Sequence, residues 1–235
     1  MTSQAADATG SGTGLSMTEQ AYRNLRRAVV TCAVEPGAWL SETELRELSG
    51  FARTPTREAA SRLVDEALME VLPRRGYRVT DVTVTGARQL FEVSEPLRLM
   101  SLRYAHGRVP AERLDALRRW IDEAPPEGPA ATDWIHNVSV RMSDTLLEAT
   151  ANPWLAKLEQ QLAGHLHRLW SLTYRHVPLR DVVEQGLEPL LAALMCEDVE
   201  AATDRLRASH VWIRETTLAV LERRDAERAS GRPGA

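Results

Sequence analysis

Hydrophobic residues recur at helical spacing over most of the front part of the chain. This period predicts a helix over residues 17–32, followed by two short helices over residues 41–49 and 54–64. The spacing then changes, because residues 69–73 and 77–80 are short and β-prone and are separated by a turn. The pattern therefore predicts three helices followed by a β-hairpin.

Short sequence signals predict where these helices begin and end. Ser41 and Glu44 have the spacing of a capping box, and Gly50 can supply the left-handed residue that ends a helix. Thr54 followed by Pro55 predicts a helix whose N-cap is the threonine and whose first residue is the proline. Two short helices joined by such a turn are the arrangement that places a recognition helix in the major groove of DNA.

From residue 87 onward the strand signals disappear, and apolar stripes of helical period follow one another. They predict six helices in an antiparallel bundle. The expected fold class is mainly α, with an N-terminal winged helix-turn-helix domain followed by an all-α antiparallel six-helix bundle. The expected units are a disordered leader, a winged-helix domain, a linker, a helical domain and a flexible tail, over residues 1–16, 17–81, 82–86, 87–225 and 226–235.

Arginines cluster in the predicted winged-helix domain, although the whole chain has a net charge of −4. A basic surface can be local even on an acidic protein, so this charge balance is compatible with DNA binding. Six arginines supply the expected local surface: Arg53, Arg57, Arg62, Arg74, Arg75 and Arg78.

Two parts of this domain carry the residues expected to touch DNA. Arg53 and Arg57 can bond guanine edges or phosphates through their planar guanidinium groups. At the hairpin, Gly76 is free to take a positive φ, and Arg75 beside it would form a cationic wing tip. The expected DNA-binding residues are Thr43, Arg53, Thr54, Thr56, Arg57, Arg75, Gly76 and Tyr77.

Three segments of the front part resemble the winged-helix domain of GntR-type bacterial transcription regulators. They span residues 36–42, 52–59 and 75–79, and they follow roughly the family's order of PGxxLxE, SRTPVREAL and RGxxV. The resemblance implies binding to a double-stranded DNA operator. Three residues depart from the family pattern: Cys32 and Ala67, where glycine is usual, and Ala52, where serine is usual. The last change removes a hydroxyl that could cap the helix or touch a phosphate.

The helical part resembles the FadR-like effector domain called FCD, with matching segments at residues 95–98, 152–155 and 193–202. In that family the helices surround a ligand pocket and form the dimer contact. The resemblance therefore implies a homodimer, usually a repressor, whose operator affinity is controlled by a small effector, often a carboxylate.

Many FCD domains hold a divalent metal through one aspartate and three histidines. The corresponding positions here are Ser139, Ser143, Leu187 and Ser209, the last beside His210. Neutral and apolar side chains cannot form the inner ligand shell of zinc or manganese, so no metal cofactor is expected. A site of different composition, drawn from Asp133, His136, His165 and His210, stays open.

Without a metal, Arg98 is the residue best suited to hold a carboxylate, through two parallel hydrogen bonds. The alternative is that Arg98 pairs with a glutamate on a helix surface. The expected effector-binding residues are Arg98, Ser139, Ser143, Leu187 and His210.

Other functional classes fit the sequence less well. Asp133 and His136 share one helical face and could serve as a base and its partner, with Ser171 or Ser143 as the nucleophile. No phosphate loop, dinucleotide fingerprint or nucleophile elbow accompanies them, so no enzymatic activity is expected. Two cysteines that lie far apart in the sequence predict free, buried thiols rather than a disulfide. No apolar run reaches about 18 residues, the length needed to span a membrane, so a cytoplasmic protein is expected. An effector-independent regulator and a helical interaction module without ligand or metal binding are the alternatives.

Overall fold

The computed structural model describes residues 15–73, 75–123 and 129–230. Its front part, the head, contains three helices and three short strands in the order α1 (Met17–Val30), β1 (Trp39–Leu40), α2 (Glu42–Ser49), α3 (Arg53–Asp65), β2 (Met69–Leu72) and β3 (Gly76–Val79). Strand β3 lies in the middle of the sheet and pairs antiparallel with both β1 and β2. The predicted helices and hairpin are confirmed. Strand β1 was not predicted, because two residues are too few to show a period.

The apolar faces of these elements meet in one core. Leu25 of α1, Leu45 of α2, Leu63 of α3 and Val79 of β3 are all buried there. Burying a side chain of this size contributes about 1.5–3 kcal/mol, so the period that predicts the helices also specifies how they pack.

The start of α2 is the predicted capping box. The Ser41 hydroxyl accepts a hydrogen bond from the Glu44 N–H, and the Glu44 carboxylate accepts one from the Ser41 N–H at 2.7 Å. The hydrogen bonds that the Glu44 carboxylate accepts from the Ser41 N–H and the Ser41 hydroxyl lower the pKa of this carboxyl. Gly50 ends the helix with a φ of 75°.

The predicted start of α3 is wrong by two residues. The helix begins at Arg53, and Ala52 occupies the N-cap without a side-chain hydrogen bond. Pro55 therefore lies at the third helical position rather than the first. Proline is tolerated there because the first four N–H groups of a helix have no partner within it, so Pro55 did not fix the start of α3.

The remaining helices form the helical domain: α4 (Val84–Ala105), α5 (Ala111–Asp122), α6 (Pro129–Thr150), α7 (Pro153–Tyr174), a continuous segment made of α8 (Leu179–Asp181), a π-helical stretch (Val182–Leu187) and α9 (Glu188–Met195), and finally α10 (Val199–Ala229). This mainly helical architecture confirms the expected fold class. Helix α10 continues beyond residue 225, where the tail was expected to begin, because alanine, glutamate and arginine favour helix without an apolar stripe.

Parts of the expected leader and tail, residues 1–14 and 231–235, and Arg74 of the hairpin lie outside the described residues. Both cysteines are free; Cys32 is buried and Cys196 is half-buried. None of the described helices is long and apolar enough to cross a membrane.

Helix α7 joins the head to the helical domain. The buried Arg168 guanidinium donates to the Thr80 hydroxyl at 2.8 Å and also to the Thr80 carbonyl. The Ser171 hydroxyl donates to the Val30 carbonyl at 2.9 Å, and Arg175 donates to the Cys32 carbonyl at 2.6 Å. Buried hydrogen bonds of this kind fix the head against one face of α7.

Candidate nucleic-acid interface and ligand cavity

The N-terminal turns of α3 present cationic and hydroxyl side chains to solvent. Arg53, Thr54 and Arg57 are all exposed there. Glu42, at the start of α2, lies 2.9 Å from the Arg53 guanidinium and 3.6 Å from Arg57 Nε. One carboxylate thus contacts both arginines on the same surface.

Helix α2, whose Glu42 contacts Arg53 and Arg57, carries two further exposed polar residues. Thr43 is exposed as expected, and Arg46 is exposed one turn later on the same helix. Sequence reasoning missed Arg46, although the spacing of three residues from Thr43 places both on one helical face.

Thr56 does not lie on the exposed surface. Its side chain is only 2% exposed, its hydroxyl lies 2.7 Å from that of Ser49, and it donates to the Phe51 carbonyl at 3.3 Å. Thr56 shares the inward face of α3 with Ala59 and Leu63, at spacings of three and seven residues. The expectation of a DNA contact by its side chain is therefore corrected: Thr56 fixes the turn between α2 and α3.

The wing has a glycine that its backbone requires. Gly76 has a φ of 95°, and a Cβ atom there would lie 2.6 Å from the Leu40 carbonyl oxygen. Arg75 is exposed, with its guanidinium 6.0 Å from the centre of the Trp39 ring. The Tyr77 side chain, by contrast, is buried in the head core, so its expected DNA contact is corrected to a packing role.

Two arginines of the expected basic surface are engaged elsewhere. Arg62 donates to Glu19 at 2.8 Å and lies over the Tyr22 ring, 3.5 Å from its centre. Arg78 donates to Glu70 at 3.1 Å. The basic surface of the head is therefore narrower than its arginine content suggests.

A cavity of about 60 Å³ lies in the helical domain, between α4, α6, α7, the segment around Leu187 and α10. A space of this size is smaller than the roughly 150 Å³ apolar cavity that holds benzene, so it suits only a ligand of a few heavy atoms. All five residues expected to bind an effector line it: Arg98, Ser139, Ser143, Leu187 and His210. The placement of these positions around one cavity agrees with the resemblance, whereas ligand binding itself stays a prediction.

The four positions of the family metal site meet in this cavity, but their side chains do not suit a metal. Ser139, Ser143, Leu187 and Ser209 all line it. Three neutral hydroxyls and a leucine lack the imidazole and carboxylate ligands that zinc or manganese requires. Among residues 15–73, 75–123 and 129–230, no three histidine, cysteine or acidic side chains are grouped so that they could hold a metal.

The alternative set of metal ligands is dispersed over the molecule. Asp133 forms an ion pair with Arg27 at 2.8 Å, and His165 Nε2 lies 3.0 Å from the Glu66 carbonyl oxygen. Only His210 of that set lines the cavity.

Arg98 is paired inside the protein. Its Nε lies 3.3 Å from a carboxylate oxygen of Glu159, and both side chains are buried. Arg98 also donates to the Ser143 hydroxyl at 3.3 Å, and Glu159 accepts a hydrogen bond from Ser101. Of the two alternatives for Arg98, the ion pair is the one observed, with a buried rather than a surface glutamate.

Glu159 is a residue that sequence reasoning missed. It stands four residues after Leu155 and seven before Leu166, and so it occupies an inward position of the α7 apolar stripe. An acidic residue at such a position indicates a buried partner, and this signal could have identified it.

Some polar atoms around the cavity lack partners. Within the described part of the chain, Trp170 Nε1 and His210 Nδ1 are buried without a hydrogen bond, and the Ser139 hydroxyl has only Tyr174 within reach. Burial lowers the pKa of His210 to about 3, so its imidazole is neutral near pH 7. The rest of the wall is largely apolar, with side chains such as Phe91 and Ile213.

The residues weighed as catalytic do not form a reaction centre. The Ser171 hydroxyl is used to anchor the head, and Asp133 is held at the surface by Arg27. Ser143, on the cavity wall, accepts hydrogen bonds from Arg98 rather than facing a base.

Two family models match the chain in agreement with this division. The model described as bacterial regulatory proteins of the gntR family matches residues 17–79, and the FCD domain matches residues 89–210. The first covers the head, and the second covers the helices that surround the cavity.

Individual relatives show the same organisation. The regulator McbR of Escherichia coli K12 is 29% identical over 202 residues, which cover 82% of this chain and 88% of the relative. The solved structure of E. coli McbR/YncC has a TM-score of 0.73 at 24% identity and covers 90% of this chain and 99% of that one, which indicates a shared fold. The repressor RspR of E. coli K12 is 37% identical over 70 residues, only 30% of this chain and 31% of the relative.

Proposed function

Because this chain belongs to the GntR family of DNA-binding transcription regulators and carries an FCD domain, we propose that it is a cytoplasmic, homodimeric repressor whose operator affinity responds to a small effector. The observation that carries the proposal is the exposed start of α3, where Arg53, Thr54 and Arg57 face solvent together. No catalytic step is assigned to the chain.

The start of α3 enters the major groove in this proposal. Arg53 and Arg57 leave Glu42 to bond base edges or phosphates, while Thr43 and Thr54 bond the backbone. Arg75 and Gly76 bring the wing to a neighbouring stretch of phosphate or minor groove. The capping box supports this role because it fixes the start of α2, and the contact of the buried Thr56 with Ser49 supports it because it fixes the turn between α2 and α3.

Dimerisation is supported by an exposed apolar surface on two adjacent helices. Val93, Met100 and Tyr104 of α4 and Trp154 and Leu158 of α7 are exposed, the Trp154 side chain to 76%. Soluble proteins rarely leave so much apolar surface to water without a partner. A two-fold dimer through this surface would present two heads to two half-sites of an operator.

Effector control is supported by the position of α7. One part of its surface lines the cavity through Leu166 and Trp170, and another holds the head through Arg168 and Ser171. A ligand that binds one arrangement of α7 better than another would shift the position of the head and hence the affinity for DNA. A carboxylate effector, the class that the resemblance suggested, would have to displace Glu159 from Arg98.

The name of RspR supports the repressor role, and that relative matches over 70 residues, 30% of this chain. The sign of regulation is tested by reporter expression from a promoter that carries the selected operator. Expression should rise when the chain is deleted, and a fall would make the protein an activator.

The DNA proposal is tested by selecting duplexes from a random pool with the full-length protein and mapping the protected bases. We expect a two-fold related site whose half-sites are about 10 base pairs apart or a multiple of that spacing. Enrichment of no sequence, or of a single half-site that binds one chain only, would overturn the dimeric DNA-binding proposal.

A further inference from the structure

We propose that the cavity of the helical domain binds an uncharged, compact and largely apolar ligand that carries an amide, carbonyl or hydroxyl group. This ligand class differs from the metal-held carboxylate that the FCD resemblance implies. The inference rests on the cavity being the effector site of the proposed regulator, and it adds the chemical class of the effector.

The first argument is the charge around the cavity. Among the described residues of the cavity wall, Arg98 is the one arginine or lysine. Its charge is already neutralised by Glu159, whose carboxylate oxygen lies 3.3 Å from Arg98 Nε. Both partners are buried, so an incoming carboxylate would either expel a paired carboxylate or remain without a counter-ion. Each outcome carries the large cost of burying an unpaired charge.

The second argument is the absence of the groups that hold a carboxylate in the family. Ser139, Ser143 and Ser209 offer hydroxyls where the family has metal ligands, and Leu187 offers only hydrocarbon. The Ser209 hydroxyl is already used, since it donates to the Gly186 carbonyl at 2.9 Å. The positions that elsewhere carry a metal therefore form a neutral wall here.

The third argument is the set of polar atoms without partners. The Trp170 indole N–H can only donate, and the His210 ring offers Nδ1 as donor or acceptor according to its tautomer, whereas the Ser139 hydroxyl lies within hydrogen-bonding reach of Tyr174. Buried groups of this kind are normally satisfied. A ligand with one acceptor and one donor, such as a primary amide or an alcohol, would satisfy them without adding charge.

The remaining wall suits the rest of such a ligand. Phe91, Leu166, Leu190, Leu206 and Ile213 surround the polar atoms with hydrocarbon. A short apolar group of one or two carbon atoms would remove part of this surface from water, as the size of the cavity requires.

The test compares isosteric pairs that differ in charge. Acetamide and acetate, and propionamide and propionate, are titrated into the full-length protein at pH 7 and followed by calorimetry, with and without added Zn²⁺. We expect each amide to bind at least about tenfold more tightly than its carboxylate, because the amide donates and accepts without a buried net charge. Added Zn²⁺ should leave this ratio unchanged. Equal or tighter binding of the carboxylates, no binding of either amide, or carboxylate binding that requires Zn²⁺ would overturn the proposal.

Two variants locate the binding within the cavity. Trp170→Phe removes the indole N–H and should weaken the amides several-fold, whereas Trp120→Phe, which lies away from the cavity beneath Arg141, should not. Glu159→Gln releases the charge of Arg98 and should shift the preference toward the carboxylates; circular dichroism checks that the variant is folded. Unchanged amide affinity in Trp170→Phe would place the ligand elsewhere and overturn the assignment. Operator binding, measured on the same samples, separates failure of this proposal from failure of the regulator proposal.

Discussion

Two residues of the head adopt a backbone conformation that ordinarily belongs to glycine. Cys32 has a φ of 53° and Ala67 a φ of 55°, and both stand where the family usually has glycine. A left-handed conformation costs a residue with a Cβ atom about 1–2 kcal/mol. Cys32 is buried against Arg168, whereas Ala67 is exposed and can be tested alone.

We expect Ala67→Gly to stabilise the protein. Removing the Cβ relieves the left-handed strain, and the larger backbone entropy of glycine in the unfolded chain offsets part of the gain, so a net increase of about 0.5–1 kcal/mol follows. The free energy of unfolding in urea measures it. The matched control is Ala208→Gly on the exposed face of α10, which should lose about 1 kcal/mol. Destabilisation by both substitutions would contradict the strain at Ala67.

Glu42 is the residue that balances the charge of the DNA surface. Its carboxylate lies close to both Arg53 and Arg57, and all three side chains are substantially exposed. DNA phosphates must compete with this carboxylate for the arginines. Exposed ion pairs of this kind contribute about 0.2–1 kcal/mol, so the competition is modest.

We expect Glu42→Gln to tighten DNA binding about twofold to fivefold at low salt, because both arginines are then free and one repulsive carboxylate is removed. Fluorescence anisotropy with the selected operator measures the change. Glu47→Gln, on the same helix but without a described contact to these arginines, should change affinity less. Weaker binding by Glu42→Gln would indicate that the carboxylate orients the arginines instead.

At the scale of elements, the ends of helices were less predictable than their apolar faces. The capping box at Ser41 was correctly predicted because two side chains of defined spacing satisfy specific backbone groups. The start of α3 was misplaced because Pro55 is compatible with several positions in a first turn. Strand β1 depends on its pairing with β3, a contact between distant segments that no local pattern reveals.

The capping box makes a testable contribution to α2. We expect Ser41→Ala to lower the free energy of unfolding by about 1 kcal/mol, because it leaves the Glu44 N–H without its partner. Ser61→Ala on the exposed face of α3 is the control and should change stability by less than about 0.5 kcal/mol. Equal effects in both variants would show that the cap is not a major determinant of stability.

At the scale of the whole molecule, the sequence predicted where the cavity residues lie better than it predicted which residues they contact. The five expected effector residues surround one cavity, since the family spacing fixes where helix faces meet. The ion pair of Arg98 with Glu159 joins α4 to α7 across 61 positions of the chain (159 − 98 = 61) and was missed. Likewise, the burial of Thr56 and Tyr77 depends on tertiary packing rather than on their residue types.

Buried histidines predict how stability depends on pH. Burial lowers the pKa of both His167 and His210 from 6.5 to about 3, so the unfolded chain binds more protons than the folded chain between those values. Stability should therefore be full above about pH 6.5 and fall as the pH drops toward 3. The slope of the free energy of unfolding against pH should approach the value for about two protons from these two residues. Burial also lowers the pKa values of His136 and His165, so these residues add to the slope in the same direction.

Unfolding in urea at several pH values between 7.5 and 5 measures that slope. We expect His167→Gln to reduce it by up to about one proton, whereas the exposed His176→Gln should leave it unchanged. A stability that is constant from pH 7.5 to 5 would contradict the neutral, buried state of these imidazoles.

The central claim is that the arginines at the start of α3 bind DNA. It is tested most directly by the operator affinity of the full-length protein, of Arg53→Ala with Arg57→Ala, and of the control Arg205→Ala with Arg228→Ala, which removes equal charge from α10. We expect the first pair to lose about 2–6 kcal/mol of binding free energy and to lower the salt dependence of affinity, and the control to bind nearly as the unmodified protein does. Equal affinities for the unmodified protein and the Arg53, Arg57 variant would contradict the account.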